Sequence, residues 1–148
     1  MAVKRSRYTS GMSQTPVPVP NKAGVNHTII VSHTFTETVA AADVLDLVSI
    51  GPGTRVVGMR VIGENIGAIN LKVGNLTGTP GSTDAARTCG SEFFAAQAAN
   101  AEAAVPLLTL AGLSAYAADV SIGIQPAADI TAAANKRLHL LIDYVAVS

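Results

Sequence analysis

The stretch that most constrains this chain is 43–63, DVLDLVSIGPGTRVVGMRVIG, two apolar arms of strand length joined by Gly51-Pro52-Gly53-Thr54. Pro52 presets the φ wanted at the second position of a turn, and Gly53 accepts the positive φ that a type II turn needs at the third. The first arm alternates Val44, Asp46, Val48 and Ile50 against Leu45, Leu47 and Ser49. The second, 54–62, is rich in β-branched residues, which stand well on a pleated sheet and lose rotamer freedom in a helix. The stretch therefore reads as a β-hairpin at the centre of an all-β domain.

Further strands follow from period-two alternation. In 26–36, His27, Ile29, Val31, His33 and Phe35 lie on one side and Thr28, Ile30, Ser32, Thr34 and Thr36 on the other. In 68–76, Ile69, Leu71 and Val73 share a face, and strands are also expected over 105–110, 120–125 and 137–147. The last of these, RLHLLIDYVAV, carries Leu141, Val145 and Val147 on its second face, so it must be paired inside a sheet and partly covered on both sides. Gly58 and Gly74, inside strands, mark bulges or close backbone approaches. The region 77–103 is the least strand-like, with Gly78, Pro80 and Gly81 opening a loop and Gly90 closing it. Ser91 is placed to cap a short alanine-rich helix, SEFFAAQAANAEAA, whose Phe93, Phe94 and Gln97 would plug one end of the body. The expectation is an antiparallel β-sandwich of jelly-roll type with seven or eight strands, one short helix and an extended N-terminal arm.

That arm, 1–24, precedes a sandwich domain, 25–148. Pro16, Pro18 and Pro20 alternate with Val17 and Val19, which fixes φ, removes every second amide donor and forbids a helix. Lys4, Arg5, Arg7 and Lys22 are unopposed by any acid between Met1 and Lys22, whereas the rest of the chain is richer in acidic than in basic side chains. A basic arm is thus attached to a mildly acidic body. Four positive charges would hold nucleic acid weakly and in a salt-dependent way, and the body adds no basic face, so protein contact is the favoured use. The residues expected to make it are Lys4, Arg5, Arg7, Tyr8, Pro16, Pro18, Pro20 and Lys22, with the prolines as a strap and Tyr8 as an anchor.

The chain is 49% apolar but only 14% charged. Such a surface suits a subunit held against others. Three Phe, three Tyr and no Trp leave too few rings for a glycan or single-strand platform. Cys89 stands alone, which excludes an internal disulfide and a multi-cysteine zinc site; in a loop near Arg87 it is at most a reactive thiol. His27 and His33 share a strand face but sit roughly 20 Å apart, and His139 could join either only through sheet pairing. Asp43, Asp46 and Asp143 have no nucleophile elbow to serve, and Gly51-Pro52-Gly53 lacks the ending and the helix of a phosphate loop. No catalytic, metal or cofactor site is expected. No apolar run is long enough to span a membrane and the N-terminus lacks a signal-peptide core, so the expectation is synthesis in a cytoplasm with no membrane contact.

The segment 42–78, ADVLDLVSIGPGTRVVGMRVIGENIGAINLKVGNLTG, resembles the core of small virion structural proteins of tailed bacteriophages, where an acid-Val-x-Asp-Leu strand, a Pro-Gly or Pro-Ala-Gly turn, an Arg-Val-Val strand and a Val-Gly strand follow one another. The ending 135–145, NKRLHLLIDYV, is similar to their last strand. The resemblance implies a capsid decoration, or cement, protein on the outside of the assembled head, made in the host cytoplasm. It would have no enzymatic activity or cofactor, and its partners would be the major capsid protein and itself as a homo-oligomer, a trimer ahead of a dimer. A tail or head-tail junction component, or a minor capsid subunit, is the first alternative. A cellular jelly-roll module that binds a glycan or peptide is the second.

Overall fold

A computed structural model describes residues 1–6, 25–98, 101–104 and 115–146, and among these residues it is all-β without a helix. In chain order the strands are β1 (Val3–Arg5), β2 (Asn26–Thr34), β3 (Val44–Ile50), β4 (Thr54–Glu64), β5 (Asn70–Leu76), β6 (Phe94–Ala98), β7 (Ala101–Ala104), β8 (Val120–Pro126) and β9 (Arg137–Ala146). One sheet has the order β1-β3-β8-β5-β6 and the other β2-β9-β4-β7. Every pairing is antiparallel except that of β1, which runs parallel to β3. Without β1, two four-stranded sheets remain among the described residues, and the chain changes sheet at almost every connection, an order compatible with jelly-roll winding.

The core lies between the sheets. Val31, Phe35, Val48, Ile122, Ile124, Leu138, Leu140 and Ile142 are all fully buried there. The alternation in β2 and β9 decides which side chains enter: Val31 and Phe35 turn inward while Ile30, in the opposite phase, remains exposed. β9 pairs with β2 along one side and β4 along the other, so the terminal strand is interior, as its two apolar faces require.

Three expectations need correction. The 43–63 stretch is not a hairpin, because β3 and β4 lie in different sheets and never pair. The turn itself explains why: Gly53 has φ +75°, as a type II turn wants, and type II geometry splays its arms where hairpins use the mirror-image turns that match strand twist. The stretch is therefore an arch that carries the chain from one sheet to the other.

The simple alternation of β3 also fails. A bulge between Asp46 and Val48 resets the phase, so Leu45, Val48 and Ile50 all reach the main core while Val44 joins a second cluster with Val3, Leu76 and Cys89.

The helix expected from Ser91 is absent. Phe94–Ala98 pairs with β5 and Ala101–Ala104 pairs with β4. Alanine's helix preference is worth only a fraction of a kcal/mol per residue over its neighbours, and ladders to two existing strands outweigh it. The strand expected over 105–110 lies outside the described residues. Both strand glycines are accounted for. Gly58 sits at the bulge of β4, and a Cβ on Gly74 would run into the Gly90 carbonyl and Glu92.

Candidate interaction surfaces

The first surface is the β3 edge of the five-stranded sheet, where the chain's own first strand lies. Val3, Lys4 and Arg5 stand opposite Val44, Leu45 and Asp46. The Asp43 carboxylate accepts from the Ala2 amide (2.8 Å) and from Ala40 N (3.1 Å), Val44 N donates to Ala2 O (3.0 Å), and Ser6 N donates to Asp46 O (2.7 Å). Ser6 is buried and its hydroxyl donates to Leu47 O. Val3 fills the second cluster on the side of the sheet away from the main core. Of the basic residues expected to reach a partner, Lys4 is paired with Glu37 (3.3 Å) and Arg5 donates to Gly81 O (2.9 Å). Arg7, Tyr8, Pro16, Pro18, Pro20 and Lys22 lie outside the described residues.

Beneath this edge is a buried ionic cluster that sequence reading missed. Asp46 Oδ2 accepts from Arg87 Nη1 (2.8 Å), Ser121 Oγ (3.1 Å) and Gly81 N (3.0 Å), with Asp46, Arg87 and Ser121 all buried. Arg87 also donates Nε to Thr77 O (2.7 Å) and Nη1 to Ser82 O (2.8 Å). Arg87 thereby clamps the loop between β5 and β6 onto the sheet. Asp46 and Arg87 are far apart in the sequence, which leaves no local pattern to read, although an Asp in a strand of otherwise apolar residues hints that a partner must exist.

Cys89 belongs to the same covered region and is not the reactive loop thiol considered above. It is buried, and desolvation pushes its pKa up to about 12, which Lys72 offsets only in part. A thiol held protonated is neither nucleophile nor metal ligand.

The second surface is the outer face of the four-stranded sheet. Across it, Ile30, Leu141 and Arg60 form one row, and Ser32, His139 and Ile62 the next. Ile30 is 57% and Ile62 37% exposed, and Leu141, opposite Ile30, is half-buried. His139 bridges Ser32 Oγ (2.8 Å) and Glu64 Oε2 (3.2 Å), which occupies both ring nitrogens. His27 stacks on Tyr144 with ring centroids 5.7 Å apart, and His33 meets the edge of Phe35 at 5.1 Å. Burial lowers the pKa of His33 despite the opposing field of Glu37. The three histidines are thus spent on sheet contacts, and no group of three His, Cys, Asp or Glu side chains is placed to hold a metal among the described residues.

Asp43, Asp46 and Asp143, weighed above as catalytic candidates, are apart in function. Asp43 holds backbone amides, Asp46 pairs with Arg87, and Asp143 accepts from Thr28 Oγ1. A groove of about 350 Å³ opens beside β6, lined by Ala41, Ala42, Ala95, Ala96 and Ala127 with Lys72 and Gln125. Its lining is mostly apolar, with one cation, Lys72, and two amides, Asn70 and Gln125.

No protein-family model matches the chain, and no curated protein does. Two solved structures do. A chain of the capsid of Ralstonia phage GP4 superposes with a TM-score of 0.83 at 28% identity over 99% of both chains. A chain of the cyanophage Pam1 capsid asymmetric unit superposes with a TM-score of 0.57 at 19% identity, covering 93% of this chain and 96% of that one. The second likeness is one of fold alone; the first, of fold and sequence together, supports a phage capsid-related protein with a structural, non-enzymatic role.

Proposed function

We propose that the chain is a decoration, or cement, protein that sits on the outside of an assembled phage head and bridges major capsid subunits as a small homo-oligomer, a trimer ahead of a dimer. The observation that carries this reading is the end-to-end match to a chain of a phage capsid, joined to a body whose outer sheet face leaves Ile30, Leu141 and Ile62 without a covering layer among the described residues. Singly scattered apolar residues are ordinary, but adjacent ones on one face mark contact surfaces.

A cement sums many weak contacts, and oligomerisation makes the later ones intramolecular, which raises avidity by about 10²–10⁴-fold. Arg7, Tyr8, Pro16, Pro18, Pro20 and Lys22 are the further residues we assign to capsid or neighbour contact, since Lys4 and Arg5 already have partners within the sandwich. The test is add-back of the purified protein to heads that lack it. Coating in proportion to the major capsid protein, and heads that burst at higher temperature or osmotic stress when coated, are expected. Heads equally robust with and without it overturn the cement role, and a copy number equal to a single ring assigns the chain to the head-tail junction instead.

A further inference from the structure

A strand at the edge of a sheet leaves every second N–H and C=O without a ladder partner, and natural sheets blunt such edges with short strands, charge, proline or a bulge. Among the described residues, three of the four edges obey: β1, β6 and β7 have 3, 5 and 4 residues, and β1 and β7 carry charge on Lys4, Arg5 and Glu102. The β2 edge does not. It has 9 residues, NHTIIVSHT, with no proline, lysine, arginine or acid, and its register with β9 runs from Asn26 to Thr34 without a bulge. We propose that this edge pairs with the same edge of a second copy: the two β2 strands lie antiparallel about a two-fold axis at Ile30 and join two four-stranded sheets into one. The inference rests on the homo-oligomeric part of the function proposed above, and of the two oligomers named there this contact builds the dimer.

The hydrogen-bond phase of β2 carries the argument. Phe35 N donates to Lys136 O (3.1 Å) on the β9 side, and in an antiparallel ladder the direction of both backbone groups alternates along the strand. His33, Val31, Ile29 and His27 therefore face β9, whereas Thr28, Ile30 and Ser32 hold N–H and C=O towards the free edge. An axis at Ile30 sets Ile30 opposite Ile30 of the second copy, and Thr28 opposite Ser32 of the second copy. All of these residues belong to the outward phase, so each pair can exchange both of its hydrogen bonds. An axis between two residues would instead set outward groups against inward ones. Of the axes that keep the phase, the one at Ile30 overlaps the whole strand.

The side chains agree with the backbone. Ile30 is 57% exposed in one copy, and pairing sets it against its own equivalent at the centre of a row that runs Arg60, Leu141, Ile30, Ile30, Leu141, Arg60 across both sheets. The exposed apolar group is thereby covered by the same group. Thr28 and Ser32 already bond Asp143 and His139 within their own copy, so the contact strands neither hydroxyl. With no charged residue on β2, the seam brings no like charges together. A surface that is its own complement about a two-fold axis closes at two copies.

The experiment traps the seam by its register. In a hydrogen-bonded pair the Cα atoms stand about 5.5 Å apart, inside the roughly 4.4–6.8 Å that a disulfide spans. The full chain carrying Ile30→Cys, oxidised at high protein concentration, should give a disulfide-linked dimer, and an equal mixture of Thr28→Cys and Ser32→Cys chains should give a mixed one. Thr28→Cys alone should not, because its two thiols would lie four residues apart along the seam, on the order of 13 Å. Cys89, buried and protonated, takes no part. Dimers from Thr28→Cys alone as abundant as those from the mixture would mean random collision and overturn the register, and no dimer from any variant overturns the contact. A further variant, Ile30→Lys, alters a side chain that one copy leaves exposed and sets two like charges face to face across the seam. It should keep the circular dichroism of the parent and shift the sedimenting species from two copies to one. An oligomer unchanged by Ile30→Lys overturns pairing through β2 and leaves the homo-oligomer standing. A parent chain that sediments as one copy at every concentration removes both, while its coating of heads is measured separately.

Discussion

Replacing Arg87 with methionine tests the buried ionic cluster directly. Methionine keeps most of the side-chain volume and removes the guanidinium, so buried Asp46 would lose the Arg87 Nη1 donor while Ser121 Oγ and Gly81 N stay in place. Breaking a buried ion pair by removing one member costs about 3–5 kcal/mol, because a charge is left without compensation where water cannot reach it. The Thr77 and Ser82 carbonyls lose their donor at the same time, which places Arg87→Met towards the upper end of that range. Against a total stability of about 5–15 kcal/mol this is a third or more of what holds the fold, and it corresponds to a fall in Tm of roughly 10–15 °C.

The assay is urea unfolding followed by far-UV circular dichroism, at one fixed protein concentration because subunit association would otherwise shift the midpoint. The slope with denaturant should stay constant and the midpoint should drop. The double variant Asp46→Leu/Arg87→Met should recover most of the loss, since replacing both members of a buried pair with apolar groups is often close to neutral. A loss under about 1 kcal/mol for Arg87→Met would refute this account, because that is the size of an exposed pair.

Gly53→Ala should cost about 1–2 kcal/mol by calorimetry although nothing lies near the added methyl, because the residue must hold φ +75°; no loss would mean that the arch relaxes to another turn. Gly74→Ala meets the Gly90 backbone as well as Glu92, so it should cost roughly 1–3 kcal/mol and be rescued little by Glu92→Ala. His33 is held below its usual pKa by burial. The unfolded chain therefore binds the proton more readily, and stability should decline as pH falls from about 6.5 towards the lower folded value; His33→Gln should flatten that limb, and an unchanged slope would remove His33 as its cause. Cys89, at about 12, should ignore a thiol reagent at neutral pH until urea unfolds the chain; prompt labelling of the native protein would show that the loop over it opens.

The division between what could be read and what could not follows the range of the interactions. β2, β5, β8 and β9 were legible because alternation is a local consequence of placing one face in a core. The two strand glycines were legible because a missing side chain inside a strand needs a local reason. Over 91–104, the same local logic misled: alanines favour a helix in isolation, and only free edges on β5 and β4, contributed by distant parts of the chain, turn the segment into strand. The candidate surfaces divide in the same way. The placing of Ile30 on the face opposite Val31 and Phe35, and a partly covered second face of β9, were visible as parity, whereas the joining of Ile30, Leu141 and Arg60 into one row required the register between three strands.

The sequence by itself determined the class of the fold, through β-branched alternation and turn residues that restrict the backbone one position at a time. It also determined the uneven sharing of charge between 1–24 and the rest. Only the tertiary structure decided that Gly51-Pro52-Gly53-Thr54 changes sheets instead of closing a hairpin, that the bulge in β3 sends Val48 inward and leaves Asp46 to Arg87, and that Val3–Arg5 belongs to a sheet. In each case the physical reason is the same: the free energy comes from groups distant in the chain, brought near by strands whose order no local pattern contains.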